Sequence, residues 1–384
     1  MKIALVHLRH AQTGGTERYL NLLAHHLASE GHEVVIVCRR HAEAPHPAVR
    51  FEVLHAPALG ASWRLLAFGR AVEAHVAHAG YDVVFGLGKT WTHDVVRLGG
   101  GLHGTYLRLA HEDTLTPRKR LLGSGRLKNR LVLAIEQRAL APDAARRVIV
   151  NSEMVRRDVL ATYALAPESV VLIHNGVDLA FFHPGRRLAE GRALRHTLGL
   201  ERDAPVVLFL GTGYGRKGLD VLLDAFALLL RTRPDARLVV AGYDSGAKRF
   251  EARAKELGLS AATRFLGGRR DPEVCYAAAD VYALPTRYDP FANTTLEALA
   301  SGLPVVTTAA NGGAEVIAPG PAGAIAEPQP EAFAAALSAL LEPERRALGA
   351  AAARACAELH PIGAKLARTT EVLEEVAAEV ARSR

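Results

Sequence analysis

Long hydrophobic runs are missing from this 384-residue chain. No apolar stretch reaches the roughly 18 residues that span a bilayer, so no transmembrane helix is expected. The start, Met1-Lys-Ile-Ala-Leu-Val-His7, has only a short apolar stretch. It lacks the longer core and small-residue cleavage site of a signal peptide and reads as a first strand. Cysteine is scarce: Cys38, Cys275 and Cys356 stand alone. Three isolated thiols argue against a disulfide framework and predict a reducing, cytoplasmic setting. Aromatic residues make up only 6%. Neither zinc-finger spacing nor an aromatic RNA-binding motif occurs, so nucleic acid is not the expected partner. No histidine or acidic cluster has metal-ligand spacing, and no metal or other cofactor is expected.

What is present is an ordinary globular balance, 49% hydrophobic and 23% charged, with a net charge of +7. The excess positive charge favours anionic partners: a phosphorylated small molecule or an anionic membrane surface. The length suggests about two domains. Short β-branched runs alternate with longer amphipathic stretches. Ile3–His7, Glu33–Val37, Asp82–Gly86, Val148–Val150, Val206–Leu210, Leu238–Ala241, Val281–Leu284 and Val305–Thr307 read as strands. Arg18–Glu30 and Leu219–Arg231 read as helices between them; in the second, Leu219, Leu222, Leu223, Phe226, Leu229 and Leu230 recur at helical spacing. Alternating strand and helix predicts doubly wound parallel sheets. The pattern restarts at Pro205, after a polar, Arg-rich segment over 180–203. Two Rossmann-like domains are therefore expected, 1–173 and 174–360, followed by a terminal segment 361–384 that opens with Pro361 and carries a last helix.

Two glycine turns follow strands and precede helices. Gly14-Gly15-Thr16 is the first. Glycine lets backbone approach a ligand, and helix N-termini favour anions. A tight α/β connection explains this turn equally well. The second, Gly211-Thr-Gly213-Tyr-Gly-Arg216-Lys217-Gly218, sets two cations at the mouth of a helix. Arginine can grip a phosphate with two parallel bonds, and lysine adds a compact charge. Neither turn is a Walker loop, and neither has the dinucleotide fingerprint, which disfavours a dehydrogenase.

Asp289-Pro-Phe291-Ala292-Asn293-Thr294-Thr-Leu-Glu297 lies between a strand and a helix that stops near Ser301-Gly302-Leu-Pro304. Its two carboxylates could accept hydrogen bonds from hydroxyls of one ligand. Alternatively, Thr294-x-x-Glu297 is a capping box, and Asp289 merely ties down a loop. Nearer the N-terminus, Lys89-Thr-Trp-Thr-His-Asp94 follows a strand, where residues at a carboxyl end face a ligand crevice. Asp94 is a candidate to orient or deprotonate an acceptor hydroxyl. His103, in the loop Gly99-Gly-Gly-Leu-His103-Gly104, could close on a sugar. Arg118, Lys119, Arg120, Arg126, Lys128 and Arg130 surround leucines, as in a basic amphipathic segment on anionic lipid or in a solvated loop.

The segment from Ala279-Asp-Val-Tyr-Ala-Leu-Pro285 through Glu297-Ala-Leu-Ala-Ser-Gly-Leu-Pro304-Val-Val resembles the signature of the family 4 glycosyltransferases, which have the GT-B fold. Asp289 stands where that family has Glu, and Ala292 where it usually has Gly. The Gly14-Gly15 turn, Asn175-Gly-Val-Asp178, Arg216-Lys217-Gly218 and Phe265-Leu-Gly-Gly268 match as well. Within the family the chain is most similar to the lipopolysaccharide core glucosyltransferases. They share the compact Gly215–Gly218 form, Gly268-Arg269 and an acid at the place of Asp94.

The resemblance implies two Rossmann-like domains facing across a cleft, the N-terminal one an acceptor domain and the C-terminal one binding most of the nucleotide-sugar donor, with the last helix crossing back to the first domain. It implies metal-independent transfer of a hexose, with retention, from a nucleotide diphosphate sugar, UDP-linked, to a lipid-linked or glycan acceptor. Glu297 would bind the donor ribose, Asp289 the sugar hydroxyls, and Arg216 and Lys217 the diphosphate. Backbone at Arg269 would read the base, and backbone at Phe291–Thr294, with that around Gly15, would approach sugar and phosphates. It also implies a place on the inner face of the plasma membrane. A nucleotide-sugar epimerase of similar architecture and a non-catalytic sugar-nucleotide sensor are the competing readings.

Overall fold

The structure is a computed structural model and describes residues 1–11, 14–57, 60–109, 126–318 and 320–384. Contacts divide the chain into two units. Among the described residues the first comprises 1–105, 126–174 and 363–384, and the second 106–109 and 175–362.

The first unit has a seven-stranded parallel sheet in the order β3-β2-β1-β4-β5-β6-β7. The strands are β1 (Lys2–Val6), β2 (Glu33–Cys38), β3 (Arg50–Val53), β4 (Val83–Gly86), β5 (Val95–Arg97), β6 (Arg147–Val150) and β7 (Val170–Leu172). Central strands such as β1 and β4 are near-continuous apolar runs because helices cover both faces of a parallel sheet. Helix Gly15–Ser29 buries Leu20, Leu23, Ala24 and Leu27, the spacing of one helical face. The terminal helix Ile362–Ser383 belongs to this unit. It buries Leu366, Val372, Leu373, Val376 and Val380. Thr369 Oγ1 lies 3.0 Å from Tyr19 Oη, and Arg147 Nη2 donates to Glu379 at 2.5 Å.

The second unit repeats the plan with six parallel strands ordered β10-β9-β8-β11-β12-β13. These are β8 (Val206–Leu210), β9 (Arg237–Ala241), β10 (Thr263–Gly267), β11 (Val281–Leu284), β12 (Val305–Thr307) and β13 (Gly323–Ile325). Helix Leu219–Leu229 buries Leu219, Leu222, Leu223, Phe226 and Leu229 on the expected face. In each sheet the order reverses at the centre, between β1 and β4 and between β8 and β11. In open α/β sheets that switch point, at the carboxyl ends, is where ligands bind.

The strands that the sequence pattern leaves out are short or peripheral. β3 has no fully buried residue, β5, β7 and β13 have three residues each, and β10 is a half-buried edge. Cys38, Cys275 and Cys356 are free and buried. Among the described residues no helix is long and apolar enough to cross a membrane. Most of the basic stretch 118–130 lies outside the described residues, including Arg118, Lys119 and Arg120. Helix Arg126–Ala139 carries its remainder, with Lys128, Arg130 and an exposed Leu127.

Candidate active site

Two loops of the second unit meet where its sheet reverses. The loop 211–218 leaves β8, and the loop 285–292 leaves β11. Gly218 fixes their approach. Its φ is 77°, and a Cβ there would sit 1.9 Å from the Pro285 carbonyl oxygen. Only glycine meets both conditions. Arg287 N–H donates to Arg216 O at 3.0 Å, and the Thr286 hydroxyl donates to the same oxygen at 3.1 Å. Asp244, in the loop after β9, accepts from Tyr214 N–H at 2.6 Å and so pins the glycine turn from its other side.

This arrangement brings Asp289, Arg216 and Lys217 together. Asp289 Oδ2 accepts from Lys217 Nζ at 2.5 Å and from Arg216 Nη1 at 2.9 Å. Its Oδ1 accepts from Phe291 N–H at 3.2 Å. Asp289 and Lys217 are buried, only 7% and 6% exposed. Burial works against the Asp289 charge, but Lys217 and then Arg216 outweigh it and hold the carboxyl below its usual value. Burial also pulls the Lys217 ammonium down, with Asp289 opposing. A carboxylate has about four lone-pair sites, and three of those on Asp289 are engaged. Asp289 is thus first a counter-ion that aims the two cations, and one of its acceptor positions is not used by the described residues.

Glu297 sits on the helix Asn293–Ala300, whose first residue follows Ala292 with no side-chain cap. The capping-box alternative is therefore not what forms. Glu297 Oε2 accepts from the Tyr276 hydroxyl at 2.9 Å, and Thr294 Oγ1 lies 2.7 Å from the Tyr282 hydroxyl. Burial and then the Glu297 carboxylate push the Tyr276 phenol well above its usual pKa, so it stays a donor. Buried Asn311, which the sequence pattern did not single out, accepts from Ala292 N–H at 3.1 Å and Gly313 N–H at 2.9 Å. With Phe291 and Ala292 amides already used, the first-turn amides of Asn293 and Thr294 are those positioned to meet an anion. Asn175 of the Asn175-Gly-Val-Asp178 motif donates to Asn293 Oδ1 at 2.7 Å. Arg269 follows β10, two strands from β8, and its exposed guanidinium grips Asp271 through bonds of 2.9 and 2.5 Å. Gly213 has φ 80°, and a Cβ on it would meet nothing within 4 Å.

In the first unit Gly15 opens its helix, and a Cβ there would also meet open space. Asp94 requires a correction. It precedes β5 and so stands at the amino end of the strands, not at their carboxyl end. Its Oδ2 accepts from Val84 N–H at 2.8 Å, and its carbonyl accepts from Arg146 N–H at 2.8 Å. Burial raises its pKa. The loop 87–94 runs back along the sheet, leaving Lys89 at the carboxyl end; linear sequence could not distinguish the two. His103 also differs from expectation. It begins a helix, His103–Leu109, and its N–H donates to Glu136 at 2.6 Å, rather than lying in an open loop. Among the described residues no group of three or more His, Cys, Asp or Glu side chains could hold a metal.

Two doubly wound units, with a paired cation cluster at the switch point of one, describe an α/β protein with a candidate ligand site at a sheet's carboxyl end. Residues 192–355 match the family model of glycosyl transferases group 1, and residues 13–181 match that of glycosyltransferase family 4. A D-inositol 3-phosphate glycosyltransferase of Mycobacterium marinum is 30% identical over 395 residues, covering 94% of this chain and 80% of that protein. The chain belongs to the family 4 glycosyltransferases. The D-inositol 3-phosphate glycosyltransferase of Corynebacterium aurimucosum is 35% identical over 221 residues, covering 55% of this chain and 52% of that one. The chain spans about half the length of the first curated relatives it matches. The crystal structure of WaaG, a glycosyltransferase involved in lipopolysaccharide biosynthesis, superposes with a TM-score of 0.80 at 22% identity, covering 97% of this chain and 99% of that one. At that identity the likeness speaks for the fold, which is GT-B.

Proposed function

We propose that this protein transfers a hexose from a UDP-linked sugar to a glycan or polyol acceptor, with retention and without a metal ion. The observation that carries the reading is the Asp289–Lys217–Arg216 cluster at the β8/β11 switch point, one loop away from Glu297. Asp289 holds both cations for the donor diphosphate, and Glu297 takes the ribose hydroxyls. Arg269 backbone takes the base, and Asn293 and Thr294 amides take phosphate or sugar oxygens. The acceptor oxygen bonds to the anomeric carbon as the bond from that carbon to the phosphate oxygen breaks. The acceptor proton passes to the departing diphosphate on the same face. Charge grows on that oxygen, and Arg216 and Lys217 stabilise it most in the transition state.

The similarity to the Mycobacterium marinum protein points towards a phosphorylated cyclitol as acceptor, and the signature resemblance towards a lipid-linked glycan. Nucleotide release with neither acceptor, with D-inositol 3-phosphate, and with a lipopolysaccharide core glycolipid separates them. Acceptor-dependent release that survives a chelator supports transfer without metal. Acceptor-independent change of the donor sugar would make the protein an epimerase, and nucleotide binding with no turnover a sensor. Exposed Leu127 beside Lys128 and Arg130 favours peripheral contact with an anionic membrane, on the cytoplasmic side. Cosedimentation with anionic and neutral vesicles tests it, and equal recovery with both would end that part of the reading.

A further inference from the structure

The first unit contains a cavity of about 780 Å³ that none of the motifs above explains. Arg9, Arg39, Arg40, Arg64 and Lys128 line it, and among the described residues no carboxylate does. Arg9 follows β1 and Arg39 and Arg40 follow β2, so the cavity opens at the carboxyl end of the sheet, the end that binds ligands in open α/β folds. Among the described residues none of the five cations makes an ion pair with a carboxylate.

The cavity is built rather than incidental. Its two loops are laced together: Arg39 N–H donates to Leu8 O at 3.1 Å and His10 N–H to Arg40 O at 2.9 Å. His10 is buried, 2% exposed. Its Nδ1 accepts from Ala42 N–H at 3.2 Å, so its Nε2 carries the proton, donated to Asn21 Oδ1 at 2.5 Å. Burial lowers its pKa, as a neutral anchor requires. Two guanidinium groups are anchored to backbone carbonyls through Nε. Arg39 Nε donates to Ala56 O at 3.3 Å and Arg64 Nε to Gly60 O at 3.2 Å. Their terminal nitrogens make no hydrogen bond to the described residues and form a fork suited to a bidentate oxyanion.

Gathering five cations that make no ion pair among the described residues, with only the Arg9 charge felt by a nearby carboxylate, Glu17, works against the folded state, while a concave basic wall focuses the field on an incoming anion. We propose that this cavity seats a phosphate carried by the acceptor, held by the Arg39 and Arg64 forks with Arg9, Arg40 and Lys128 supplying charge. This rests on the reading of the first unit as the acceptor unit. The phosphate can come from a soluble polyol phosphate or from a phosphorylated lipid headgroup.

The test uses the full chain with its nucleotide site saturated by UDP, so that added phosphate cannot report on Arg216 and Lys217. D-inositol 3-phosphate and free inositol are titrated calorimetrically, and phosphatidylglycerol and phosphatidylcholine vesicles are compared by cosedimentation. We expect wild type to bind the phosphorylated but not the free cyclitol, or the anionic but not the neutral vesicle, which assigns the source. Arg39→Gln with Arg64→Gln should weaken that binding by about tenfold or more while UDP affinity and the thermal midpoint hold. Equal phosphate binding by wild type and variant, or binding of neither probe by wild type, overturns the proposal. If binding is arginine-dependent but no sugar is transferred to any acceptor, the anion site stands and the transferase reading fails; if UDP does not bind, that reading fails by itself.

Discussion

The two units carry positive charge in opposite ways. In the second, Arg216 and Lys217 share one carboxylate, Asp289, and Lys217 is buried with it. In the first, five cations line a cavity whose walls, among the described residues, carry no carboxylate. Water cannot compensate a buried ammonium, so the fold must supply its partner. Solvated arginines can wait for theirs. A paired cluster keeps fixed geometry before the ligand arrives, which suits stabilisation of developing charge. An unpaired one keeps its full charge for the ligand, which suits capture.

The sharpest way to break this contrast is to remove the paired cations. Arg216→Ala and Lys217→Ala should each lower single-turnover transfer at saturating donor by roughly a hundredfold, about 3 kcal/mol, with a smaller loss of affinity for the nucleotide diphosphate. Lys217→Arg should not restore the rate, because a planar fork does not replace a compact ammonium. Full-rate transfer with only weakened binding would reduce both residues to donor grips.

Glu297→Ala tests the second anchor of that cluster's helix. Losing a hydrogen bond to a charged group costs about 2 kcal/mol, so nucleotide affinity should fall roughly thirtyfold by calorimetry. Tyr276→Phe removes only the hydroxyl that Glu297 accepts from, and its effect should be several times smaller. Equal affinities in wild type and Glu297→Ala would remove Glu297 from the site.

In the first unit, a buried histidine sets acid sensitivity. His93 is 7% exposed, its Nε2 donates to Ala139 O at 3.3 Å, and burial pushes its pKa down to about 4. A base whose folded pKa lies below its unfolded value of about 6.5 costs stability as pH falls through that window, and the cost levels off below the folded value. Between pH 7 and pH 5 it should remove roughly 1.5–2 kcal/mol. Denaturant titrations at both pH values check this: His93→Gln should show a smaller pH dependence than wild type, and an identical dependence would show that His93 is not the group responsible.

The smallest effect is expected at Asp94. Asp94→Asn keeps an acceptor for Val84 N–H, so transfer should change by less than about threefold, while Asp94→Ala should cost about 1 kcal/mol of stability. A large rate loss in Asp94→Asn with unchanged stability would return Asp94 to the chemistry.

Much of this protein was legible in one dimension. The eight apolar runs from Ile3–His7 to Val305–Thr307 all became strands, because a strand covered on both faces must be apolar throughout. The leucine spacing of Leu219–Leu230 fixed a helix face, and the glycines beside Arg216 and Lys217 marked a turn with charge at its mouth. Edge strands β3 and β10 escaped because half-buried edges carry mixed patterns.

Only the tertiary structure decided which charges meet. Asp289 lies 72 residues from Lys217, and nothing local reveals that parallel strands β8 and β11, adjacent in space, aim their following loops at one point. The same non-local pairing sent Asp94 to the amino end of its sheet, gave Glu297 a tyrosine in place of a cap, and drew Arg9, Arg39, Arg40, Arg64 and Lys128 from four separate segments into one cavity. Local sequence sets periodicity and turn chemistry. The crossover order of a parallel sheet sets which loops share an end, and therefore which side chains share a ligand.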